Sequence, residues 1–334
     1  MSKTEYKALV VSESNTGNFE RQIEILRISE LPENEVLIKV HYSSLNYKDA
    51  LSASGHKGIT RKFPHTPGID AAGEVIESSD SGFSIGENVL VTGFDLGMNT
   101  AGGLGQYIRV PANWVVKKPA SLSLRECMIL GTAGFTAAQG LSYLQENNVY
   151  PENGEILVTG ATGGVGSLAV AILARAGYPV VAATRSVQMQ DLLLQLGAHE
   201  IINTREMDDS SLRPMLPGRW AGAIDTVGGN ILSTIIRSTK RRATVTFCGI
   251  IASTELKTSV FPFILRGIRL IGIDSAECPI AIKRELWQKL AGEWKIKHFD
   301  AIVEEIPLKD VSDKIDLMLQ GRTTGRIIIN HGLD

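Results

Sequence analysis

The stretch of sequence that decides the fold reads Gly154-Glu-Ile-Leu-Val-Thr-Gly-Ala-Thr-Gly-Gly-Val-Gly166. Its apolar run Ile156–Thr159 predicts a buried strand, and the apolar residues from Ser167 onward predict a helix. A glycine-rich turn between a strand and a helix is typical of a dinucleotide-binding βαβ unit, although Ala161 here replaces the first glycine. Gly163 lets the backbone approach a pyrophosphate, Gly166 lets the helix and the strand pack closely, and the helix N-terminus attracts the negative charge. We therefore expect a Rossmann-type domain around this turn.

The choice of dinucleotide depends on the end of the second predicted strand. The turn itself supplies five predicted cofactor-binding residues, namely Thr162, Gly163, Gly164, Val165 and Gly166. A site for NAD normally has Asp or Glu after the second strand, but residues 161–190 contain neither. The strand is followed instead by Thr184, Arg185 and Ser186, whose guanidinium and hydroxyls suit a 2′-phosphate, so the sequence favours NADP(H). The alternative is that Arg185 is merely solvated and Ser186 caps the next helix.

The chain changes character on the two sides of residue 126. Residues 1–125 are short β-rich runs separated by turn residues, which predicts a mostly antiparallel, barrel-like domain. Beyond them strands and helices alternate, which predicts a doubly wound parallel sheet. The last 35 or so residues return to strands. We expect an α/β protein with two domains, residues 1–125 with 298–334, and residues 126–297.

The charge balance and the cysteine content of the chain indicate which partners and which compartment to expect. The 334 residues carry 34 Lys and Arg against 36 Asp and Glu, so nothing indicates a nucleic acid or an anionic membrane as partner. The three cysteines, Cys127, Cys248 and Cys278, form no CxxC pair, which fits a reducing, cytoplasmic compartment. No signal peptide is expected. The apolar stretch 163–183 is glycine-rich and broken by Pro179, so no membrane span is expected either.

Five further motifs span most of the chain: Ser44-Leu-Asn-Tyr-Lys-Asp49, Pro67-Gly-Ile-Asp70, Gly131-Thr-Ala-Gly-Phe-Thr-Ala137, Ala223-Ile-Asp-Thr-Val-Gly228 and Phe261-Pro-Phe-Ile-Leu-Arg-Gly267. Together with the dinucleotide turn, they resemble the medium-chain dehydrogenase/reductase superfamily, and more closely its zinc-free YhdH/YhfP-type branch. Members of that branch were named quinone oxidoreductases and include NADPH-dependent acryloyl-CoA reductases. The resemblance implies a GroES-like first domain beside the Rossmann domain.

The resemblance also allows a prediction about whether this protein binds a catalytic zinc ion. Zinc-dependent relatives carry a Cys ligand in a Cys-x-Ser/Thr-Asp motif and a His ligand in Gly-His-Glu. The matching positions here are Asn46 and Ile69, and the nearby His65 alone leaves too few nitrogen and sulfur donors for tetrahedral zinc. We therefore expect no metal.

Without a metal, hydrogen-bond donors must stabilise the charge that builds on a substrate carbonyl during conjugate reduction. Tyr47 is the candidate donor and proton source, with Asn46 as a helper that contacts nicotinamide or substrate. The alternative is that Tyr47 only packs against the nicotinamide ribose. We expect Asp49 to fix this loop. The cationic loop His56–Lys62 that follows is either a solvated cluster or a contact for the phosphates of CoA.

Further cofactor contacts are predicted where the strands of a doubly wound sheet end. They are Thr136, Asp225, Gly249, Ile250 and Ser275. Cys248, at the end of a buried strand, is expected to act as a small apolar residue rather than a nucleophile.

Three functions compete at this point. The first is an NADPH-dependent reductase of a short α,β-unsaturated thioester such as acryloyl-CoA, which the cationic loop slightly favours. The second is an NADPH:quinone oxidoreductase, and the third is a non-enzymatic dinucleotide-binding redox sensor. The apolar edge strand predicted at Leu270–Ile273 indicates a homodimer.

Overall fold

The computed structural model of the protein describes residues 4–211 and 213–333. The strands are β1 Glu5–Glu13, β2 Phe19–Arg27, β3 Val36–Leu45, β4 Asp70–Ser78, β5 Asn88–Thr92, β6 Tyr107–Val110, β7 Val116–Lys117, β8 Ile156–Thr159, β9 Val180–Thr184, β10 Glu200–Asn203, β11 Trp220–Asp225, β12 Thr239–Phe247, β13 Arg269–Gly272, β14 Val303–Ile306 and β15 Arg326–Asn330. The helices are α1 Tyr47–Ala53, α2 Leu124–Glu146, α3 Gly164–Arg175, α4 Gln190–Gln195, α5 Gly229–Ser238, α6 Phe261–Arg266, α7 Ile280–Ala291 and α8 Val311–Leu319.

The chain divides into two compact units. Unit 1 comprises the chain as far as Thr132, together with Ala276–Trp287 and the chain from Val303 onward. Unit 2 comprises Ala133–Ser275 and Gln288–Ile302.

Unit 1 is built on a mostly antiparallel sheet. Its strands lie in the order β14-β15-β3-β4-β5-β7, with β6 also paired to β3, and only β14 and β15 run parallel. The strands β1 and β2 form a separate antiparallel ribbon. Leu9 from β1, Leu45 from β3 and Ile315 from α8 meet in one of the apolar cores. This architecture confirms the predicted mostly antiparallel domain.

Two helices of unit 1 contradict the prediction that this part of the chain forms only strands. The helix α1 begins directly after β3, and its Ala50 and Ala53 pack in the same core as Val311 of α8. With 7 and 9 residues, each helix contains too few apolar positions to show a helical period in the sequence. The motif at 44–49 therefore lies on a strand end and a helix start.

Unit 2 contains the predicted doubly wound sheet. Six strands lie in the order β10-β9-β8-β11-β12-β13, and every neighbouring pair is parallel. Because β8, β11 and β12 are parallel neighbours, their carboxyl ends meet at one edge of the sheet. Leu157, Val181 and Val245 pack in its core. The two edge strands of this sheet are β10 and β13.

Within residues 4–211 and 213–333, no helix is both long enough and apolar enough to span a membrane.

Candidate functional site

The turn after β8 makes its sharp bend at Gly160, one residue before Ala161, the position matched to the first glycine of the fingerprint. Gly160 adopts a φ of +57°, and a Cβ atom there would lie 2.3 Å from Oγ1 of Thr226. A Cβ on Gly166 would lie 2.1 Å from the carbonyl oxygen of Gly160. Gly160 therefore makes the sharp turn that the fingerprint assigns to its first glycine, and Ala161 is buried behind it. The even spacing of Gly160, Gly163 and Gly166 is the signal that could have revealed this.

The helix α3 begins at Gly164, three residues earlier than predicted, with Gly163 as its N-cap. The prediction of a start at Ser167 is wrong because it counted apolar residues, whereas the first turn of this helix is largely glycine. The N–H groups of a first helical turn have no partner within the helix and form the positive end of its dipole. Thr162, Gly163, Gly164 and Val165 are partly exposed around this end, while Gly166 is buried.

Arg185, directly after β9, is a cation without a partner among the described residues. Thr184 is buried, and its Oγ1 accepts a hydrogen bond from the backbone N–H of Ser186 at 3.0 Å and lies 3.4 Å from Oγ1 of Thr162. Arg185 is exposed and makes no hydrogen bond or ion pair with the described residues. Its guanidinium is thus available to an anion beside the glycine-rich turn.

Of the other predicted cofactor contacts, Gly249 and Ile250 follow β12 and lie near the edge where β8 and β11 end. A Cβ on Gly249 would lie 1.8 Å from the carbonyl carbon of Thr226, so no other residue fits there. Ile250 is 59% exposed, and Ser275 is partly exposed. Thr136 lies buried in α2.

Asp225 is fully buried, and both of its carboxylate oxygens are engaged inside unit 2. Oδ1 accepts a hydrogen bond from Thr159 at 2.6 Å, and Oδ2 accepts one from the N–H of Gly228 at 2.8 Å. Burial raises the pKa of this carboxyl. Asp225 therefore fixes the turn after β11, and its contact with a cofactor stays a prediction that these bonds do not support. Burial likewise raises the pKa of the Cys248 thiol to about 12, which is consistent with the interpretation of this cysteine as a small apolar residue.

In unit 1, Tyr47 stands at the first position of α1. Its side chain is 45% exposed, and its hydroxyl makes no hydrogen bond with the described residues. Asn46, the N-cap, is partly buried, and its backbone N–H donates to Oδ2 of Asp49 at 2.8 Å. The other oxygen of Asp49 accepts the N–H of Ile69 at 2.8 Å. These two bonds confirm that Asp49 fixes the loop.

A buried polar cluster lies behind Asn46, and it was not predicted. Its centre is Asp70, which is fully buried and accepts hydrogen bonds from the side chains of Ser44 at 2.6 Å, Asn46 at 2.8 Å and Thr132 at 2.6 Å, and from the N–H of Thr132 at 2.9 Å. Arg326 is also buried and donates from Nε to the carbonyl of Ile129 at 2.8 Å. The one sequence signal is a charged residue at the start of the apolar strand β15.

The buried cluster brings together two carboxyl groups, those of Asp49 and Asp70, and the guanidinium of Arg326. Burial, and then the neighbouring Asp70, raise the pKa of Asp49 to about 7, against the opposing effect of the hydrogen bonds from Asn46 and Ile69. Burial lowers the pKa of Arg326, while the two aspartates act in the opposite direction. Two buried carboxyls thus act electrostatically on one buried guanidinium.

The two positions that carry zinc ligands in zinc-dependent relatives are used differently here. The side-chain nitrogen of Asn46 donates to Asp70, and Ile69 is buried. His65 is buried as well, which lowers its pKa. Across residues 4–211 and 213–333, no three His, Cys, Asp or Glu side chains are grouped so that they could hold a metal ion.

In the cationic loop His56–Lys62, the side chain of Lys57 is held by other residues of unit 1. Nζ of Lys57 forms an ion pair with Glu13 at 2.6 Å and lies over the rings of Phe19 and Phe63. Arg61 and Lys62 are exposed.

Comparison with known proteins gives matches along most of the chain. Residues 32–120 match the alcohol dehydrogenase GroES-like domain, and residues 164–292 match the zinc-binding dehydrogenase family. The acrylyl-CoA reductase AcuI of Ruegeria pomeroyi is 38% identical over 97% of this chain and 99% of its own length.

Two solved structures are similar over nearly their whole length. Bacillus subtilis YhfP is 40% identical over 95% of this chain and 97% of its own sequence. Its crystal structure with NAD bound has a TM-score of 0.96, covering 98% of this chain and 100% of that one. The YhdH oxidoreductase from Salmonella enterica, solved in complex with NADP, is 40% identical with a TM-score of 0.94, covering 97% and 99%. The chain therefore belongs to the medium-chain dehydrogenase/reductase family, in the branch that includes YhfP, YhdH and AcuI.

Proposed function

We propose that this protein is an NADPH-dependent oxidoreductase that reduces the C=C bond of a short α,β-unsaturated CoA thioester without zinc. The observation that carries the proposal is the free, exposed hydroxyl of Tyr47 on a helix start that Asp49 and Asp70 hold in place. The near full-length similarity to an acrylyl-CoA reductase supports the substrate class.

The residues of unit 2 fit a dinucleotide phosphate. The glycine-rich turn leaves no room for a Cβ at Gly160 or Gly166, as the tight turn and the close helix–strand packing of a dinucleotide-binding unit require. Thr162, Gly163, Gly164 and Val165 would hold the pyrophosphate at the start of α3. Arg185, with Thr184 and Ser186, would hold the 2′-phosphate. When bound, NADPH supplies the hydride.

Tyr47 acts on the substrate. As hydride adds to the β-carbon, negative charge develops on the thioester oxygen, and the Tyr47 hydroxyl donates a hydrogen bond to it. A proton must then reach the α-carbon. Because Tyr47 is 45% exposed, its hydroxyl can deliver that proton and recover one from solvent.

The cations that could contact CoA phosphates are Arg61 and Lys62. Both are exposed, whereas Lys57 of the same loop is bound to Glu13. This division supports a phosphate-bearing substrate over a quinone, which requires no anion contact.

The proposal of a zinc-free reaction rests on Asn46 and Ile69, neither of which is a zinc ligand. Treatment with a chelator is therefore expected to leave activity intact. Inactivation by the chelator with recovery on adding zinc would overturn this part of the proposal.

We also propose a cytoplasmic homodimer. The three cysteines are free thiols, as is usual in a reducing compartment. The strand β13 lies at the edge of the parallel sheet, and the preceding helix α6 exposes Ile264 and Leu265. An apolar edge of this kind is commonly covered by a second subunit.

The test is a steady-state assay of the purified protein with NADPH and with NADH. Acryloyl-CoA, crotonyl-CoA and a naphthoquinone serve as acceptors in parallel. We expect the highest kcat/KM with NADPH and acryloyl-CoA. Turnover of the naphthoquinone alone would replace the proposal with a quinone reductase, and binding of NADPH without any turnover would favour a redox sensor.

A further inference from the structure

We propose that Asp70 and Arg326 are positioning residues that act on Tyr47 through Asn46. The inference rests on the proposed role of Tyr47, and it gives the buried cluster a function in the reaction that the cluster itself never touches. Asp70 is 0% exposed and Arg326 is 3% exposed, so neither side chain is open to a substrate.

The carboxamide of Asn46 is fully used inside the cluster. Its nitrogen donates to Oδ2 of Asp70 at 2.8 Å and to the carbonyl oxygen of Ser44 at 3.4 Å. Its oxygen accepts a hydrogen bond from Nη1 of Arg326 at 3.4 Å. Because a donor and an acceptor hold opposite ends of the amide, only one orientation satisfies both neighbours. Asn46 therefore has no amide hydrogen left for a substrate, and it serves as a fixed support.

Asp70 is in turn held by groups from two separate segments, residues 44–46 and Thr132. Ser44 lies one residue before the end of β3, Asn46 precedes α1, and Thr132 donates both its N–H and its hydroxyl. Gly131 makes the contact with Thr132 possible, because a Cβ there would lie 2.5 Å from Oδ2 of Asp70. With four hydrogen bonds, the carboxylate cannot rotate without losing several of them.

Arg326 contributes orientation more than stability. A buried ion cluster costs desolvation energy, and apolar side chains of similar volume often serve stability equally well. What an apolar residue could not supply here is the N–H that faces the Asn46 oxygen, or the positive charge beside Asp49 and Asp70. Without Arg326, the carboxamide of Asn46 is free to rotate by half a turn, so that its oxygen and nitrogen exchange places.

The consequence reaches Tyr47 through the backbone. Asn46 is the N-cap of α1 and Tyr47 is the first helical residue, so the direction of the Tyr47 side chain depends on how firmly the cap is held. A reacting group displaced by about 1 Å can cost about 100-fold in rate. The cluster thus sets the position of the proposed donor.

The experiment compares Arg326→Gln and Arg326→Lys with Arg237→Gln as the matched control. Arg237 is equally buried, but its guanidinium bonds to Asp209, Ser211 and Arg213 in unit 2. Two readouts are taken: hydrogen exchange of the peptide that contains α1, measured by mass spectrometry, and kcat with KM for acryloyl-CoA. Each variant is also made in the Tyr47→Phe background.

We expect Arg326→Gln to speed exchange in α1 and to lower kcat by about 10- to 100-fold, with little change in the KM for NADPH. Arg326→Lys, which keeps the charge, should fall between this variant and the wild type. In the Tyr47→Phe background, Arg326→Gln should cause little further loss of kcat, since the group it positions is already gone. Arg237→Gln should lower stability and leave both readouts of the folded protein unchanged.

The proposal is overturned if α1 exchanges at the wild-type rate in Arg326→Gln, or if the loss of kcat is equally large with and without the Tyr47 hydroxyl. Should Arg326→Gln fail to fold, Thr132→Val removes one donor to Asp70 and must loosen α1 to a smaller extent. The exchange readout requires no substrate. A protein that reduces no enoyl-CoA would therefore refute the proposed function, while exchange in α1 would still decide whether the cluster holds the helix.

Discussion

The carboxylate of Asp49 accepts a hydrogen bond from the backbone N–H of Ile69, 2.8 Å away, and so joins α1 to the segment that precedes β4. The same carboxylate accepts the N–H of Asn46. This carboxyl is buried beside Asp70, and its pKa is raised from 3.8 to about 7. A group that joins two segments of the site therefore changes its charge near neutral pH.

This shift predicts how stability depends on pH. Between the unfolded pKa of 3.8 and the folded value of about 7, the folded protein holds a proton that the unfolded chain has lost. The contribution of Asp49 is thus complete below the unfolded pKa and is lost as the pH rises through about 7, at up to about 1.4 kcal/mol per pH unit. We expect the free energy of unfolding of Asp49→Asn to depend less on pH than that of the wild type in this interval.

Urea unfolding at about pH 5, 6, 7 and 8 measures this difference. Asp209→Asn is a suitable control, because hydrogen bonding from Ser211 and then the nearby Arg237 lower the pKa of Asp209, and its charge does not change in this interval. If the curves for the wild type and Asp49→Asn run parallel, Asp49 is ionised throughout and the assigned shift is wrong.

Tyr47→Phe keeps the ring and removes the hydroxyl. If that hydroxyl stabilises the developing enolate, kcat for acryloyl-CoA falls by about 100- to 1000-fold, as for the loss of one oxyanion donor. If Tyr47 only packs against the cofactor ribose, KM rises instead and kcat is nearly unchanged. A solvent and substrate isotope effect must first establish that chemistry limits the rate in both proteins. A kcat within a few-fold of the wild-type value would then move the donor role to another group.

Arg185→Ala tests the choice of cofactor. The loss of one charge-assisted hydrogen bond to the 2′-phosphate costs about 1.5–3 kcal/mol, or about 10- to 150-fold in affinity for NADPH. Affinity for NADH should change little. Quenching of intrinsic fluorescence gives both dissociation constants. The comparison matters because a close relative has been crystallised with NAD, and equal binding of the two cofactors by the wild type would refute the role given to Arg185.

The dimer is tested at the edge strand. Ile271→Lys places a charge on β13 and is expected to convert a particle with twice the mass of one chain into a monomer. Light scattering at micromolar concentration measures the mass. Ile25→Lys, on the exposed face of β2 in unit 1, is the control and should leave the dimer intact. A monomeric wild type would end the proposal.

Much of unit 2 could be predicted from the sequence, and the reasons are local. Ile156–Thr159, Val180–Thr184 and Glu200–Asn203 are short apolar or β-branched runs closed by glycine or polar residues, and each forms a strand within those bounds. The helix α3 has the wrong predicted start because its first turn consists of glycine and valine. Gly160 was missed because the fingerprint was aligned on Ala161.

The candidate site was less predictable because its support comes from distant parts of the chain. Asn46 and Tyr47 form a recognisable motif, yet nothing near them in the sequence indicates Thr132 or Arg326. Asp70 and Arg326 come close together only because β4 and β15 both pair with β3. A single sequence does not show which strands pair, so the cluster that these residues form with Thr132 could not be predicted. The role of Tyr47 and the predicted division at residues 126 and 298 stay predictions.

Gly131 interrupts α2 with a φ of +50°, and this break also determines how the protein could be recombined with its relatives. Ile129 supplies the carbonyl that Arg326 binds, and Thr132 supplies two donors to Asp70, so the first turns of α2 belong chemically to unit 1. A chimera that exchanged the nucleotide-binding half at residue 126 would import these groups from the donor protein. A junction placed after Thr132 would keep them with their partners, and only such a hybrid would inherit the intact support of Asn46.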